Sequence, residues 1–162
     1  MKQVIILRGL PGSGKTSLVS KIEKEYNLPA TICSADDYFY FEKEHVAENY
    51  KFNKNLLSQA HAYCKNKFLE ALKLKDKLII VDNTNIKLRD FSWYVKQADS
   101  FEYSVLICSI CGGTTEEHLS SNVHNVPLET IERMASGFIE TPEKINNIVV
   151  DRLKYDFNEI RK

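Results

Sequence analysis

Residues 9–16 read Gly-Leu-Pro-Gly-Ser-Gly-Lys-Thr, the spacing G-x-x-x-x-G-K-[ST] of a phosphate-binding loop. The chemistry follows from the residue types. Gly9, Gly12 and Gly14 let the backbone curl until successive N–H groups point inward at phosphate oxygens. A helix beginning at Lys15 adds the positive end of its dipole. The expected phosphate contacts are Gly9, Pro11, Gly12, Ser13, Gly14, Lys15, Thr16 and Ser17. Lys15 is expected between the β- and γ-phosphates, and the Thr16 hydroxyl on Mg²⁺. The implied ligand is a nucleoside triphosphate.

Two further segments carry oxygen ligands and proton acceptors. Ser34-Ala35-Asp36-Asp37-Tyr38 follows a short apolar run. Phosphoryl transfer to a hydroxyl needs a carboxylate within hydrogen-bond reach of that hydroxyl, and Asp36 or Asp37 would serve. Val81-Asp82-Asn83-Thr84-Asn85 ends a strongly apolar run in an aspartate, the Walker-B form, which makes Asp82 the second expected Mg²⁺ residue. Asn83, Thr84 and Asn85, with Tyr38, are the expected acceptor contacts. A run of aromatics, Tyr38-Phe39-Tyr40-Phe41, with Tyr50 and Phe52 nearby, offers faces on which single-stranded bases stack. Lys43, Lys51, Lys54, Lys65 and Lys67 are available to phosphates, but Glu42, Glu44, Glu48 and Glu70 dilute their field.

These residues need a scaffold that gathers them, and the chain alternates strand and helix in the way that builds a mainly parallel sheet. Strands are expected at Gln3–Leu7, Ala30–Ser34, Leu78–Val81 and Tyr103–Ile110. Helices are expected at Lys15–Tyr26, Asn53–Leu74 and Leu88–Ala98. Open α/β sheets bind ligands beyond the carboxyl ends of their strands, where all three segments fall. Gly112-Gly113-Thr114-Thr115 then opens a short helix, and Pro127 is expected at the first position of another, Leu128–Ser136. Together they form an expected lid at about residues 112–136. Thr141-Pro142-Glu143 is expected to cap one more helix.

Composition narrows the class. One domain accommodates 162 residues with 43% apolar and 27% charged side chains. Basic and acidic residues number 22 each, so no whole-molecule field announces a nucleic-acid partner. No apolar stretch approaches the roughly 20 residues that span a bilayer, and no signal-peptide core precedes the first strand. A cytoplasmic setting without a membrane partner is the expectation. The single pair Cys108-x-x-Cys111 has no second pair at metal spacing, and Cys33 and Cys108 are expected as packed thiols.

Five segments in order carry a resemblance: L-R-G-L-P-G-S-G-K-T, C-S-A-D-D-Y-F, A-H-A-Y-C, I-V-D-N-T-N and N-V-H-N-V-P-L-E-T-I-E-R-M. They resemble a P-loop kinase-like family that includes the kinase domain of bacteriophage polynucleotide kinase and AAA-type ATP-binding domains of Nedd-ligase-binding proteins. The resemblance implies an α/β three-layer P-loop kinase fold, with ATP and Mg²⁺ as cofactors. It places a general base on Asp36 with Asp37 beside it, and magnesium and acceptor near Asp82 to Asn85. His61 matches a histidine recurring in relatives. Two positions depart. Ser121 stands where these kinases carry a lid arginine that grips the triphosphate. Phe39 stands where an arginine reaches the acceptor phosphate. Arg133, or Lys87 and Arg89, would have to supply the missing cation. The implied activity is phosphoryl transfer to a hydroxyl, foremost the 5′ end of single-stranded DNA or RNA. A small-molecule acceptor, or a nucleotide-binding switch without transfer, are the rival readings.

Overall fold

The structure is a computed structural model and describes residues 1–40 and 47–160. Phe41, Glu42, Lys43 and Glu44, among the expected acceptor surface, lie outside the described residues. Strands β1 (Gln3–Arg8), β2 (Thr31–Cys33), β3 (Leu78–Asp82) and β4 (Ser104–Cys111) appear where apolar runs predict them. So do helices α1 (Lys15–Tyr26), α2 (Leu57–Lys73) and α3 (Leu88–Ser100). With β7 (Asp151–Asp156) the strands form a five-stranded sheet in the order β2-β3-β1-β4-β7, every pair parallel.

β1 is central and all six of its residues are buried, because both sheet faces are covered. Its side chains alternate between two cores. Val4 and Ile6 pack with Cys64 and Phe68 of α2 and Phe91 and Tyr94 of α3. Ile5 and Leu7 pack with Leu18, Val19 and Ile22 of α1. Helices therefore cover the sheet on both sides, the three-layer α/β arrangement. Burying each such aliphatic side chain stabilises the fold by about 1.5–3 kcal/mol. The burial also fixes where β1 ends, and the glycine-rich loop starts there.

Three expectations need correction. The helix expected from Asn53 opens as a 3-10 turn, Lys54–Leu56, because the Asn53 side chain accepts from the Asn55 amide at 3.0 Å. Pro127 is the residue before α5 (Leu128–Gly137) and not its first: its carbonyl accepts from the amides of Thr130 and Ile131. No helix starts at Thr141, and the next one, Phe157–Ile160, comes only after β7. Instead β5 (Lys144–Ile145) and β6 (Ile148–Val149) form a hairpin turned by Asn146 and Asn147 at φ 51° and 63°. Consecutive left-handed residues make the tight turn that matches strand twist. The Thr141 hydroxyl, expected to cap a helix, accepts from a guanidinium instead. β7 then runs along β4, an edge strand whose mostly exposed charges hid it from pattern reading.

Candidate active site

The glycine-rich loop leaves β1 and enters α1. The Gly9 amide donates to the Thr84 carbonyl at 3.1 Å, and the Ser13 amide to the Leu10 carbonyl at 3.0 Å. Gly12 and Gly14 sit at φ +79° and +99°, left-handed values that explain glycine at both. A Cβ on Gly12 would also collide with the carbonyl oxygen of His118, so α4 (Thr115–Ser121) lies directly against the loop. Lys15 Nζ donates to the carbonyls of Gly9 at 3.0 Å and Leu10 at 3.1 Å. An ammonium has three donors, so one remains for an oxygen in the loop. Burial lowers the Lys15 pKa, and Asp82 and then Asp36 pull it back. The Ser13 hydroxyl is wholly buried without a hydrogen-bond partner. Thr16 and Ser17 are exposed in the first turn of α1, where helical N–H groups lack intrahelical acceptors. An unsatisfied hydroxyl, amides without acceptors and one lysine fit a polyphosphate.

Asp82 closes β3 beside this loop. Burial raises its pKa, Lys15 lowers it, and Asp36 and Asp37 raise it again. Asp82 and Asp36 both act on Lys15, while Asp37 has Lys67 as its partner. Asp82 and the Thr16 hydroxyl are oxygen donors of the kind magnesium takes, although among the described residues no group of three His, Cys, Asp or Glu side chains is gathered for a metal ion.

Asp36 and Asp37 sit on a 3-10 turn, Ala35–Phe39, capped by Ser34, whose hydroxyl accepts from the Asp36 amide at 3.3 Å. The Asn83 side chain holds the start of the turn by accepting from the Ala35 amide at 2.9 Å. The two carboxylates diverge. Asp37 pairs with Lys67 of α2 at 3.6 Å, and its side chain is 14% exposed. Asp36 is 48% exposed and receives the Tyr50 hydroxyl on Oδ1 at 3.0 Å, with His124 Nδ1 at 3.3 Å from Oδ2. Burial would raise the Asp36 pKa, but His124, Tyr50 and Lys15 outweigh it and hold it below the usual value. Tyr50 and His124 were not singled out from the sequence for this role. Their partners are remote in the chain, and only the order of motifs hinted that His124 mattered.

Other expected residues fall differently. Asn85 is 3% exposed at φ 48°, and its amide donates to the Leu7 carbonyl at 2.7 Å. That bond ties the turn after β3 to β1, so the Asn85 amide is engaged in structure. Asn83 is likewise engaged at both ends of its amide, at Ala35 and at Cys64 Sγ, so it supports the Asp36 turn. Thr84 remains half-buried beside the loop. Tyr38 is exposed, donating to Gln59 at 2.8 Å and packing near Tyr63. Phe39 is core, against Phe52 and Tyr50. Ser121 is half-buried at the end of α4. Arg133 and Lys87 are exposed, and Arg89 leans on Asp90 at 4.0 Å. Among the described residues none of these three cations has a hydrogen bond or ion pair to the loop. His61 lies exposed on α2. All four cysteines are free thiols.

Arg8 holds the other flank. It is wholly buried, and its guanidinium donates to the carbonyls of Asn85 at 2.7 Å, Ile86 at 2.8 Å and Ile139 at 2.9 Å, and to Thr141 Oγ1 at 2.8 Å. Phe91 and Phe138 sandwich it, each ring centroid 4.5 Å from Cζ. One side chain thus joins the strand feeding the loop, the turn after Asp82 and the segment after α5. In the sequence it was only a letter of the first motif.

Comparison with known proteins agrees with this geometry. Residues 4–141 match the family described as an AAA domain. NEDD4-binding protein 2 of Homo sapiens is 31% identical over 157 residues, covering 93% of this chain and 8% of that protein. Among solved structures, Chaetomium thermophilum Kti12 in complex with ADP-AlF3 superposes with a TM-score of 0.60 at 17% identity, over 98% of this chain and 97% of that one. Shikimate kinase from Aquifex aeolicus gives 0.55 at 16% identity, over 97% and 90%. At such identities the likeness is one of fold. No described helix is long and apolar enough to cross a membrane. By its loop, its strand order and a match over most of its length, the chain belongs to the AAA-domain family of P-loop kinase-like proteins.

Proposed function

We propose that the chain is an ATP-dependent phosphotransferase acting on a hydroxyl, foremost the 5′-hydroxyl of a DNA or RNA strand. The observation that carries this is the half-open Asp36 carboxylate, oriented by Tyr50 and His124 and electrostatically coupled to Lys15. A carboxylate held ionised and left accessible is what a hydroxyl acceptor requires.

The loop amides, Ser13 and Lys15 hold the β- and γ-phosphates, and Arg133 is the cation that the lid would supply. Thr16 and Asp82 would hold Mg²⁺, which supplies neutralisation of charge on the phosphoryl oxygens. Asp36 takes the proton of the acceptor hydroxyl as the acceptor oxygen bonds to the γ-phosphorus, and the bond from that phosphorus to the β-bridging oxygen breaks, releasing ADP. Asp37, paired with Lys67, keeps that turn on α2. Tyr38 and Thr84 border the acceptor. The exposed faces of Tyr38, Phe52 and Tyr63 suit unstacked bases, which favours a single-stranded acceptor.

A second reading rests on Phe39. It is buried where the resemblance implies an acceptor-binding arginine, and small-molecule kinases such as shikimate kinase share the fold. The deciding experiment is transfer of labelled γ-phosphate from ATP to oligonucleotides with 5′-hydroxyl or 5′-phosphate ends. We expect transfer only to the former, and a loss of about a hundredfold or more in Lys15→Ala and Asp36→Ala. Intact transfer by Asp36→Ala removes the base assignment, and equal counts on both ends remove the 5′ acceptor.

A further inference from the structure

We propose that His124 is a positioning residue that seats the α4–α5 segment on the Asp36 carboxylate, so that the lid and the acceptor base take their working positions together. The proposal rests on the reading of Asp36 as base, yet its contacts stand apart from it.

The geometry is specific. His124 Nδ1 lies 3.3 Å from Asp36 Oδ2, and its Nε2 lies 3.1 Å from the Tyr40 hydroxyl. An ionised carboxylate only accepts, so Nδ1 carries the proton and Nε2 can accept from Tyr40. Both ring nitrogens are thereby committed and the ring cannot flip without losing a partner. Tyr50 stacks on the imidazole at 4.1 Å with 8° between planes, while its hydroxyl takes the other Asp36 oxygen at 3.0 Å. A backbone bridge between Tyr40 and Tyr50 brings the two phenols together.

The loop that presents His124 is built for the purpose. Asn122 ends α4 and its side chain accepts from the Val126 amide at 2.8 Å, closing a tight turn around residues 123–125. Asn125 takes φ 53° within it. The same α4 packs its His118 carbonyl against Gly12. One segment thus touches the phosphate loop at one end and the acceptor base at the other. Among the described residues the groups that bond to Asp36 or share its field are Lys15, Asp37, Tyr40, Tyr50, His61, Asp82 and His124. His124 alone among them comes from the lid. Its hydrogen bond also leads the influences that hold Asp36 ionised against burial.

The test is hydrogen exchange of the amides at 122–128 in the 162-residue chain, with the Val126 amide as the principal reporter. Asp36→Ala is expected to speed exchange there about tenfold or more, the scale of losing a hydrogen bond to a charged group. His124→Ala should match it, and the double variant should add nothing further. His124→Phe keeps a flat ring over Tyr50 but has no N–H, and should resemble His124→Ala. His124→Asn restores a donor near the Nδ1 position and should recover part of the protection. Native exchange in Asp36→Ala, or in His124→Phe, overturns the proposal, since the imidazole would then act by packing alone. In transfer assays, His124→Ala should lower kcat about tenfold with the ATP KM within about twofold. A raised ATP KM with unchanged kcat also overturns it. Absence of transfer by the native protein would defeat the proposed activity while the exchange arms still decide the role of His124.

Discussion

Arg8 and Asp36 flank the same phosphate loop, and the fold treats the two charges in opposite ways. Arg8 is sealed, with four hydrogen bonds to uncharged acceptors and an aromatic ring on each face. Among the described residues no carboxylate pairs with it, and burial drops its pKa to about 10 against the opposing pull of Cys111, Asp90 and Glu140. Asp36 is half open, held by a phenol and an imidazole that leave lone pairs unused. A charge whose bonds are filled by backbone can only hold structure. A charge oriented but left accessible retains the capacity to react.

The contrast is broken most sharply by replacing each in turn. Arg8→Met should destabilise the fold by about 3–5 kcal/mol, because four acceptors lose their donor inside the protein. Asp36→Ala should cost less than about 1 kcal/mol, as exposed pairs do. Urea unfolding of both variants checks this, and comparable losses would erase the distinction. Next in size is Ser121→Arg, which adds a cation to α4 on the reactive side. A rise in transfer of about tenfold or more is expected, and an unchanged rate would mean a cation is already supplied.

The smallest effect is in pH. The folded pKa of Asp36 is depressed, so its contribution to stability is full above the unfolded value of about 3.9. It fades as pH falls through the lower folded value. Urea midpoints of native protein and Asp36→Asn should therefore differ at neutral pH and converge in acid. A gap that widens in acid would reverse the assigned direction.

Much of this was legible from local pattern. The loop, β1, α1, β3 and α3 announce themselves because periodicity and glycine spacing are properties of neighbouring residues. Asp36 could be singled out beside Asp37 only by resemblance, and the structure separates the pair by giving Asp37 to Lys67. The Arg8 cluster and the Tyr50–His124–Asp36 contact were not legible, since each joins residues far apart in sequence. The hairpin at Asn146-Asn147 was mistaken because Thr141-Pro142-Glu143 mimics a helix start. β7 was missed because an edge strand need not be apolar.

The anchoring at Thr141 has a mechanical consequence. Its hydroxyl meets Arg8 and also lies 3.2 Å from the Ser109 hydroxyl on β4, the strand from which the α4–α5 excursion departs. Departure and return are pinned on adjacent strands, like the two leaves of one hinge. Through Arg8 the return of the excursion is therefore tied to β1, the strand that feeds the phosphate loop.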